Sequence, residues 1–262
     1  MAKKPLSHQP YTHWKEVSVI IIRALIVLLE MIIFAIGGLF IGLLIIPISA
    51  LKLKGLEHKK FCANVIHKSW KFFSKLLCKL GTIKITTNGD FTNITNSVIV
   101  ANHPSLIDIV LLIGLIPNCL CLAKKELLKN PIMHNIVKYL YIINDVDLDE
   151  FQQETKKALE NGFNIIIFPT GTRTLPNEEF KIHKGSAQIA INANVDIIPI
   201  TINEDYPLLR KNHFPLDAGN KVINFEITRK NNIKISDYKT SDITDIKLRK
   251  VVSEKIKEEI TV

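Results

Sequence analysis

A histidine and an aspartate five residues apart are the first pair in the sequence whose side chains could do chemistry. They are His103 and Asp108, in the segment NHPSLID at residues 102–108. Histidine titrates near neutral pH and can take a proton from a hydroxyl or an amine. A neighbouring carboxylate fixes the tautomer of the ring and stabilises the imidazolium that forms. The pair is therefore typical of a general base with an orienting acid.

The local sequence predicts how this pair would be held. A β-branched run ends at Ala101, and Pro104 favours the first position of a helix, so we expect His103 to cap that helix. Asp108 would lie one turn inside, where its side chain leans back towards the His103 ring. The helix N-terminus would offer backbone N–H groups to a developing oxyanion. The alternative, a capping histidine beside an unrelated aspartate, stays open on this pair alone.

A second segment, FPTGTRT at residues 168–174, has the features of an anion-binding loop. Gly171 allows backbone to approach a ligand closely, and the Arg173 guanidinium is a fork of donors matched to phosphate. Lys184 follows at the predicted start of another helix, where an anion is favoured. The alternative is an ordinary turn with a solvated arginine. Two such segments, each directly after a predicted strand, indicate a site that combines a base with an anionic ligand.

Short β-branched runs alternate with helical stretches after Gly81, which predicts an α/β fold with a mixed, partly parallel sheet flanked by helices. In such sheets, functional residues gather at the carboxyl ends of the strands. The predicted strands are 83–87, 97–101, 119–123, 164–168, 197–202 and 222–228. The predicted helices are 104–116, 126–140, 148–161, 186–194 and 243–260.

The N-terminal part of the chain is apolar enough to enter a membrane. Residues 17–51 are almost entirely apolar, with Arg23 and Glu30 as interruptions. A single helix of that length would exceed the roughly 30 Å hydrocarbon core. Gly37 and Gly38 near its middle, and lysines on both sides, favour a hairpin dipping into one leaflet; a single span is the alternative. We therefore divide the chain into a membrane-embedded helical segment, 1–55, and an α/β domain, 56–262.

Residues 58–80 have the pattern of a basic amphipathic helix, with phenylalanines and leucines on one side and six lysines among the polar positions. Such a helix can lie on a membrane surface. Equally, it can be an ordinary helix that covers a core with its apolar face.

The formal net charge of +9 favours anionic partners: a lipid head-group surface, a phosphate-bearing substrate or an acidic carrier protein. The basic residues carry no motif of a nucleic-acid-binding module, so nucleic acid is not an expected partner. The four cysteines lack metal-ligand spacing, and we expect neither a metal site nor a disulfide. Nothing in the sequence indicates an oligomeric state.

In the segments 102–108 and 168–174, and in two further blocks, the sequence resembles the glycerophospholipid acyltransferases, in particular a bacterial branch of that family. NHPSLID fits their asparagine–histidine–four residues–aspartate motif, and FPTGTRT fits their Phe-Pro-Glu-Gly-Thr-Arg motif. Lys124, Lys125 and Pro131 resemble the basic second block, and Ile198-Pro199-Ile200 resembles the hydrophobic-proline block. The likeness covers about residues 80–205, in order.

The resemblance implies direct acyl transfer from acyl-CoA or acyl-carrier protein to a lysophospholipid such as 1-acylglycerol 3-phosphate, without a cofactor. His103 would be the base and Asp108 would orient it. The head group would be held by Thr170, Gly171, Thr172 and Arg173, with Lys124 and Lys184 assisting. The resemblance also implies a location on the cytoplasmic face of a bacterial inner membrane, with membrane lipids and acyl-carrier protein as partners.

Thr170 departs from the family pattern, which has glutamate at this position. Threonine keeps a hydrogen-bonding group but loses the charge, which puts the acceptor in doubt more than the reaction. An acyltransferase for a non-glycerolipid acceptor, such as an amino-acid lipid or another alcohol, is therefore an alternative. A membrane-attached binding protein with a decayed site is a second alternative. A hydrolase is a third, although the sequence has no G-x-S-x-G elbow.

Overall fold

The computed structural model describes residues 10–123, 128–129, 134–143, 147–174, 180–240 and 243–261; the side chains of residues 10–15 and 123 lie outside this description. Within these ranges, the helices are α1 (Pro10–Phe40), α2 (Ile46–Ser49), α3 (Gly55–Lys79), α4 (Asp108–Leu115), α5 (His134–Leu140), α6 (Leu148–Glu160), α7 (Gly185–Ala193) and α8 (Asp245–Ile260). The strands are β1 (Ile83–Asn88), β2 (Val98–Ala101), β3 (Cys119–Ala123), β4 (Tyr141–Ile143), β5 (Asn164–Ile167), β6 (Ile197–Glu204) and β7 (Ile223–Arg229).

The described strands form one sheet of seven, in the order β1-β7-β6-β2-β5-β3-β4. Every neighbouring pair is parallel except β6 and β7, which are antiparallel. The predicted mixed, partly parallel sheet with flanking helices is therefore confirmed, and the observed sheet is mostly parallel. Strand β4 was not predicted, because its three residues continue the apolar pattern of the preceding helix without a break.

The core lies around the two central strands. All four residues of β2 and all four residues of β5 are buried, as expected for parallel strands that are covered on both faces. Helix α3 presents a buried stripe that includes Cys62, Ile66 and Trp70, and it packs closely on α4. This favours the interpretation of α3 as a helix that covers the core. Its lysines, including Lys60, Lys68 and Lys71, lie on the exposed side.

Helix α3 fixes the position of α4 at a close crossing. A Cβ atom on Gly114 would lie 3.1 Å from the backbone nitrogen of Lys71, so glycine permits this approach. The ring of His67 donates from Nδ1 to the carbonyl of Ile113 at 2.7 Å. Because α4 begins with Asp108, this crossing also sets the position of that carboxylate.

The predicted hairpin at Gly37 and Gly38 is wrong. The helix continues through both glycines, passes through a π-helical turn at Ile41–Ile45, and ends at Ser49. A helix satisfies its own backbone hydrogen bonds, whereas an open turn in an apolar segment leaves them unpaired. The chain reverses only after Ala50, and Gly55, with φ +55°, begins α3. Within the described residues, Glu16–Ser49 is the one helix with the length and composition of a membrane span.

The two polar residues that interrupt the apolar run attach α1 to the α/β domain. The Arg23 guanidinium donates to the carbonyls of Ala218 (3.1 Å), Gly81 (2.9 Å) and Thr82 (3.2 Å). About two turns further along, the buried Glu30 carboxylate accepts a hydrogen bond from the Thr82 hydroxyl at 2.6 Å. These interruptions therefore mark the face of α1 that contacts the domain.

We predict that Arg23→Ala lowers the free energy of unfolding by about 2 kcal/mol, since three carbonyls lose a charged donor. Arg23→Lys should recover little of this loss, because a lysine ammonium keeps the charge but lacks the planar fork. Thermal unfolding of the detergent-solubilised proteins measures both effects. Midpoints equal to wild type for both variants would show that α1 does not depend on this attachment.

Candidate active site

His103 lies two residues past the end of β2. Its ring nitrogen Nδ1 is 2.8 Å from Oδ2 of Asp108, and its ring stacks on Phe168, with centroids 4.0 Å apart and planes at 18°. Phe168 follows β5, the parallel neighbour of β2. A carboxylate accepts only from a protonated Nδ1, so Nε2 is left as the basic nitrogen. The arrangement is that of an oriented general base.

The Asp108 carboxylate is fully buried and accepts two hydrogen bonds on the same oxygen. Oδ2 receives the His103 ring N–H and, at 2.8 Å, the backbone N–H of Ser105. Burial raises the pKa of Asp108, and the His103 ring and the Ser105 amide oppose that rise. A carboxylate held in this way stabilises a positive charge on the adjacent imidazole.

The pair is held differently from the helix cap that the sequence predicts. Helix α4 begins at Asp108, with Ile107 as its capping residue, and does not begin at Pro104. Before it, Ser105 forms an antiparallel bridge with Arg210, its hydroxyl donates to the carbonyl of Leu208, and Leu106 and Ile107 form a turn. A tertiary contact with a distant segment therefore overrides the local preference of Pro104. The predicted contact between His103 and Asp108 nevertheless forms, across a turn.

Asn102 anchors the same segment to the sheet. Its side-chain amide donates to the carbonyl of Ile202 at 2.8 Å, and its carbonyl oxygen accepts from the Ile202 N–H at 2.7 Å. This side chain thus continues the β2–β6 pairing beyond the last residue of β2. Asn102 therefore fixes the position of the end of β2 and of His103, which is the next residue.

The FPTGTRT loop lies against the histidine segment. The backbone N–H of Thr174 donates to the carbonyl of His103 at 3.0 Å. Gly171 has φ +68°, and a Cβ atom there would lie 3.3 Å from the ring of His183. The Thr170 hydroxyl donates to the carbonyl of Thr172 at 2.8 Å, which closes the loop on itself. Close approach and a left-handed backbone together require glycine at position 171.

The two segments line one cavity of about 520 Å³. Its polar wall contains His103, Gly171, Thr172, Arg173 and His183. Its apolar wall is formed by side chains from α4, β3, β4, α6, β5 and α7, including Ile109, Leu122, Tyr141, Phe151, Ile166 and Ile189. A ligand with one polar end and one apolar end fits such a lining.

A second, almost wholly apolar cavity of about 460 Å³ adjoins the first. The two share Ile109 and Tyr141 in their walls. The second cavity extends between α1 and α3, where Phe34 and Trp70 line it. Apolar space therefore lies both beside His103 and against the N-terminal helix.

Not every residue that the sequence singles out reaches the cavity. Of the described residues, Gly171, Thr172 and Arg173 line it beside His103, but Thr170 is buried in its loop and Lys184 is an exposed residue at the start of α7. Lys124, Lys125 and Pro131 lie outside the described residues. No group of three or more metal-ligating side chains occurs in the described part of the chain.

Sequence reasoning missed three contributors. His183, an exposed residue next to Lys184, lines the cavity against Gly171. Phe168 stacks against the His103 ring. The sequence hint to this role is that Phe168 is the first residue of the FPTGTRT segment. The bend that follows β6 contacts both motifs through Leu208 and Leu209, and its sequence carries no sign of this role.

Comparisons with known proteins agree with this geometry. A family model described as Acyltransferase matches residues 82–203. A 1-acyl-sn-glycerol-3-phosphate acyltransferase from Cocos nucifera is 27% identical over 139 residues, which cover 49% of this chain and 44% of the relative. One from Borreliella burgdorferi is 26% identical over 180 residues, covering 66% and 72%. The chain thus spans less than half the length of the plant relative.

The fold also matches a solved structure. The crystal structure of the 1-acyl-sn-glycerophosphate acyltransferase PlsC from Thermotoga maritima superposes with a TM-score of 0.67 at 23% identity, covering 92% of this chain and 97% of that one. At this identity the match speaks for the fold alone. The family model and the curated relatives show that residues 82–203 are similar to acyltransferases, among them the 1-acyl-sn-glycerol-3-phosphate acyltransferases.

Proposed function

We propose that this protein is a membrane-bound O-acyltransferase that moves a fatty acyl chain from a thioester to the hydroxyl of a lysophospholipid such as 1-acylglycerol 3-phosphate. The observation that carries the proposal is the His103–Asp108 contact of 2.8 Å, which leaves Nε2 as a base in a cavity that also contains Arg173. The base and the anion-binding group therefore line the same cavity. The matched relatives are named for the same reaction.

In the proposed reaction, Nε2 of His103 takes the proton of the acceptor hydroxyl, and the oxygen attacks the thioester carbonyl. The new C–O bond forms, the C–S bond breaks, and the sulfur leaves with the proton from the imidazolium. Asp108 keeps Nδ1 protonated throughout and stabilises the imidazolium. No covalent intermediate with the protein and no cofactor beyond the thioester co-substrate is required.

The phosphate of the acceptor would bind at Thr172 and Arg173. One guanidinium nitrogen of Arg173 is committed to the carbonyl of Leu209 at 2.8 Å. The other N–H groups of the Arg173 guanidinium remain as donors for a phosphate oxygen. The His183 ring, which lies over Gly171, adds a donor at the same side of the cavity.

The apolar cavity beside Ile109 and Tyr141 offers space for an acyl chain, because its wall is nearly free of polar atoms. Acyl-CoA and acyl-carrier protein both carry the required thioester, and both are acidic. The net charge of +9 favours the approach of either donor.

We also propose that α1 inserts in a membrane. Leu25, Ile32, Ile36 and Phe40 are among its many large apolar side chains that remain exposed in the folded chain. Such a surface indicates a lipid environment. Lysines cluster after this helix, from Lys52 to Lys60, which favours the cytoplasmic side for the α/β domain.

A second candidate is acyl transfer to an acceptor other than 1-acylglycerol 3-phosphate, such as another lysolipid, an amino-acid lipid or a different alcohol. Thr170 favours it, since this side chain is bonded within its own loop and brings no charge where the family has glutamate. The reaction would be the same, with the same base.

We predict that His103→Ala lowers kcat by about 10²- to 10⁴-fold, the usual contribution of a general base. His134→Ala is the matched control, because this histidine is exposed and its ring bonds to the carbonyl of Leu128. The assay is a panel of lysolipids with acyl-CoA and acyl-carrier protein. Absence of transfer by wild type with every donor, or equal transfer by His103→Ala, would refute the proposed function.

Asp108→Asn tests the role of the charge beside His103. An amide oxygen at the Oδ2 position can still accept from Ser105 N–H and from the His103 ring, but the negative charge that stabilises the imidazolium is lost. We expect kcat to fall about 10²- to 10⁴-fold while the KM of the acceptor changes little. A kcat within threefold of wild type would mean that Asp108 serves only the fold.

Thr170→Glu should change the preference among acceptors more than it lowers total activity, because it adds a charge to the loop that carries Arg173. Thr170→Ser is the control, since it keeps the hydroxyl that donates to Thr172. The ratios of kcat/KM across the lysolipid panel are the measurement. An equal loss on every acceptor would count against a role of this position in selectivity.

A further inference from the structure

The bend at residues 204–210, which follows β6, touches both motifs of the site. The carbonyl of Leu209 accepts from Arg173 Nη1 at 2.8 Å and from the backbone N–H of Leu106 at 3.3 Å. The carbonyl of Leu208 accepts the Ser105 hydroxyl. The bend therefore determines where the Arg173 guanidinium lies relative to the histidine segment.

An ion pair closes this bend. Oε1 of Glu204 accepts from both Nε and Nη2 of Arg210, at 2.9 and 2.8 Å. The side chain of Glu204 is 1% exposed and that of Arg210 is 19% exposed. A pair that is this buried is little screened by solvent, and removal of one partner leaves the other uncompensated.

The pair holds a strained backbone. Leu209, next to Arg210, has φ +53°, a left-handed conformation that a bulky side chain avoids unless its surroundings enforce it. This conformation aims the Leu209 carbonyl at Arg173. Without the Glu204–Arg210 contact, we expect Leu209 to relax towards negative φ, which rotates its carbonyl away from the guanidinium.

We propose that Glu204 and Arg210 are positioning residues, which hold Arg173 in place for the acceptor's phosphate through the carbonyl of Leu209. The inference rests on the proposed function, and it assigns neither residue a contact with substrate. The His103–Asp108 contact is supported by Ser105 N–H and Phe168, and Ser105 pairs with Arg210 through the backbone, which a change of side chain keeps. Loss of the pair should therefore weaken acceptor binding more than it slows the chemical step.

The surroundings of Glu204 suggest which variants to compare. Burial raises its pKa to about 7, and Arg210 opposes this rise while Asp108 and Asp205 add to it. Without Arg210 the pKa would rise further, so the carboxyl would be mostly protonated at neutral pH. Glu204→Gln and Arg210→Ala should therefore have similar effects, since each leaves a neutral group at position 204.

The experiment is steady-state kinetics of the full-length protein, with 1-acylglycerol 3-phosphate varied at saturating acyl donor. For both single variants we expect the acceptor KM to rise about tenfold, kcat to stay within about threefold, and the donor KM to stay unchanged. Glu226→Gln is the control: this glutamate lies on the neighbouring strand β7, is exposed, and should behave as wild type. A purely structural role would reduce the active fraction, and hence kcat, while leaving the acceptor KM unchanged.

The double variant Glu204→Gln/Arg210→Ala should raise KM no further than the worse single variant, because one pair is removed in each case. Arg210→Lys, which keeps the charge without the fork, gives the same test if Arg210→Ala fails to fold. Acceptor KM values within twofold of wild type, or multiplicative effects in the double variant, would overturn the positioning role while leaving His103-dependent transfer intact. An inactive wild-type protein would instead overturn the proposed function together with this inference.

Discussion

The parallel pairing of β2 and β5 is the constraint on which the site depends. Val98 lies opposite Ile165 and Val100 opposite Ile167, so both strands end at the same edge of the sheet. His103 follows one strand and the FPTGTRT loop follows the other, although about 65 residues separate them in the chain. The stacking of the His103 ring on Phe168 and the bond from Thr174 N–H to the His103 carbonyl are consequences of that register.

Around this constraint, buried polar groups hold the reactive ring without depending on solvent. Asp108 is fully buried, and both of its hydrogen bonds come from its own segment. Asn102 extends the β2–β6 pairing with its side chain, which prevents the strand end from drifting. Such preorganisation matters for a base, because a ring that had to be oriented during the reaction would lose much of its rate advantage.

The N-terminal helix is part of the same assembly. Arg23 and Glu30 attach it to the domain at residues 81–82 and 218, close to where β1 begins. Its other face leaves large apolar side chains exposed, and between it and α3 lies an apolar cavity that shares Ile109 and Tyr141 with the cavity beside His103.

The sequence alone determined the α/β class, six of the seven described strands and the pairing of His103 with Asp108, because these follow from short-range periodicity and spacing. Only the tertiary structure decided the rest. Helix α4 begins at Asp108 because Ser105 pairs with Arg210, which is far away in the chain. The Arg173 guanidinium is likewise held by the carbonyl of Leu209, which belongs to another segment. Local sequence does not encode such contacts, which form only when the sheet brings those segments together.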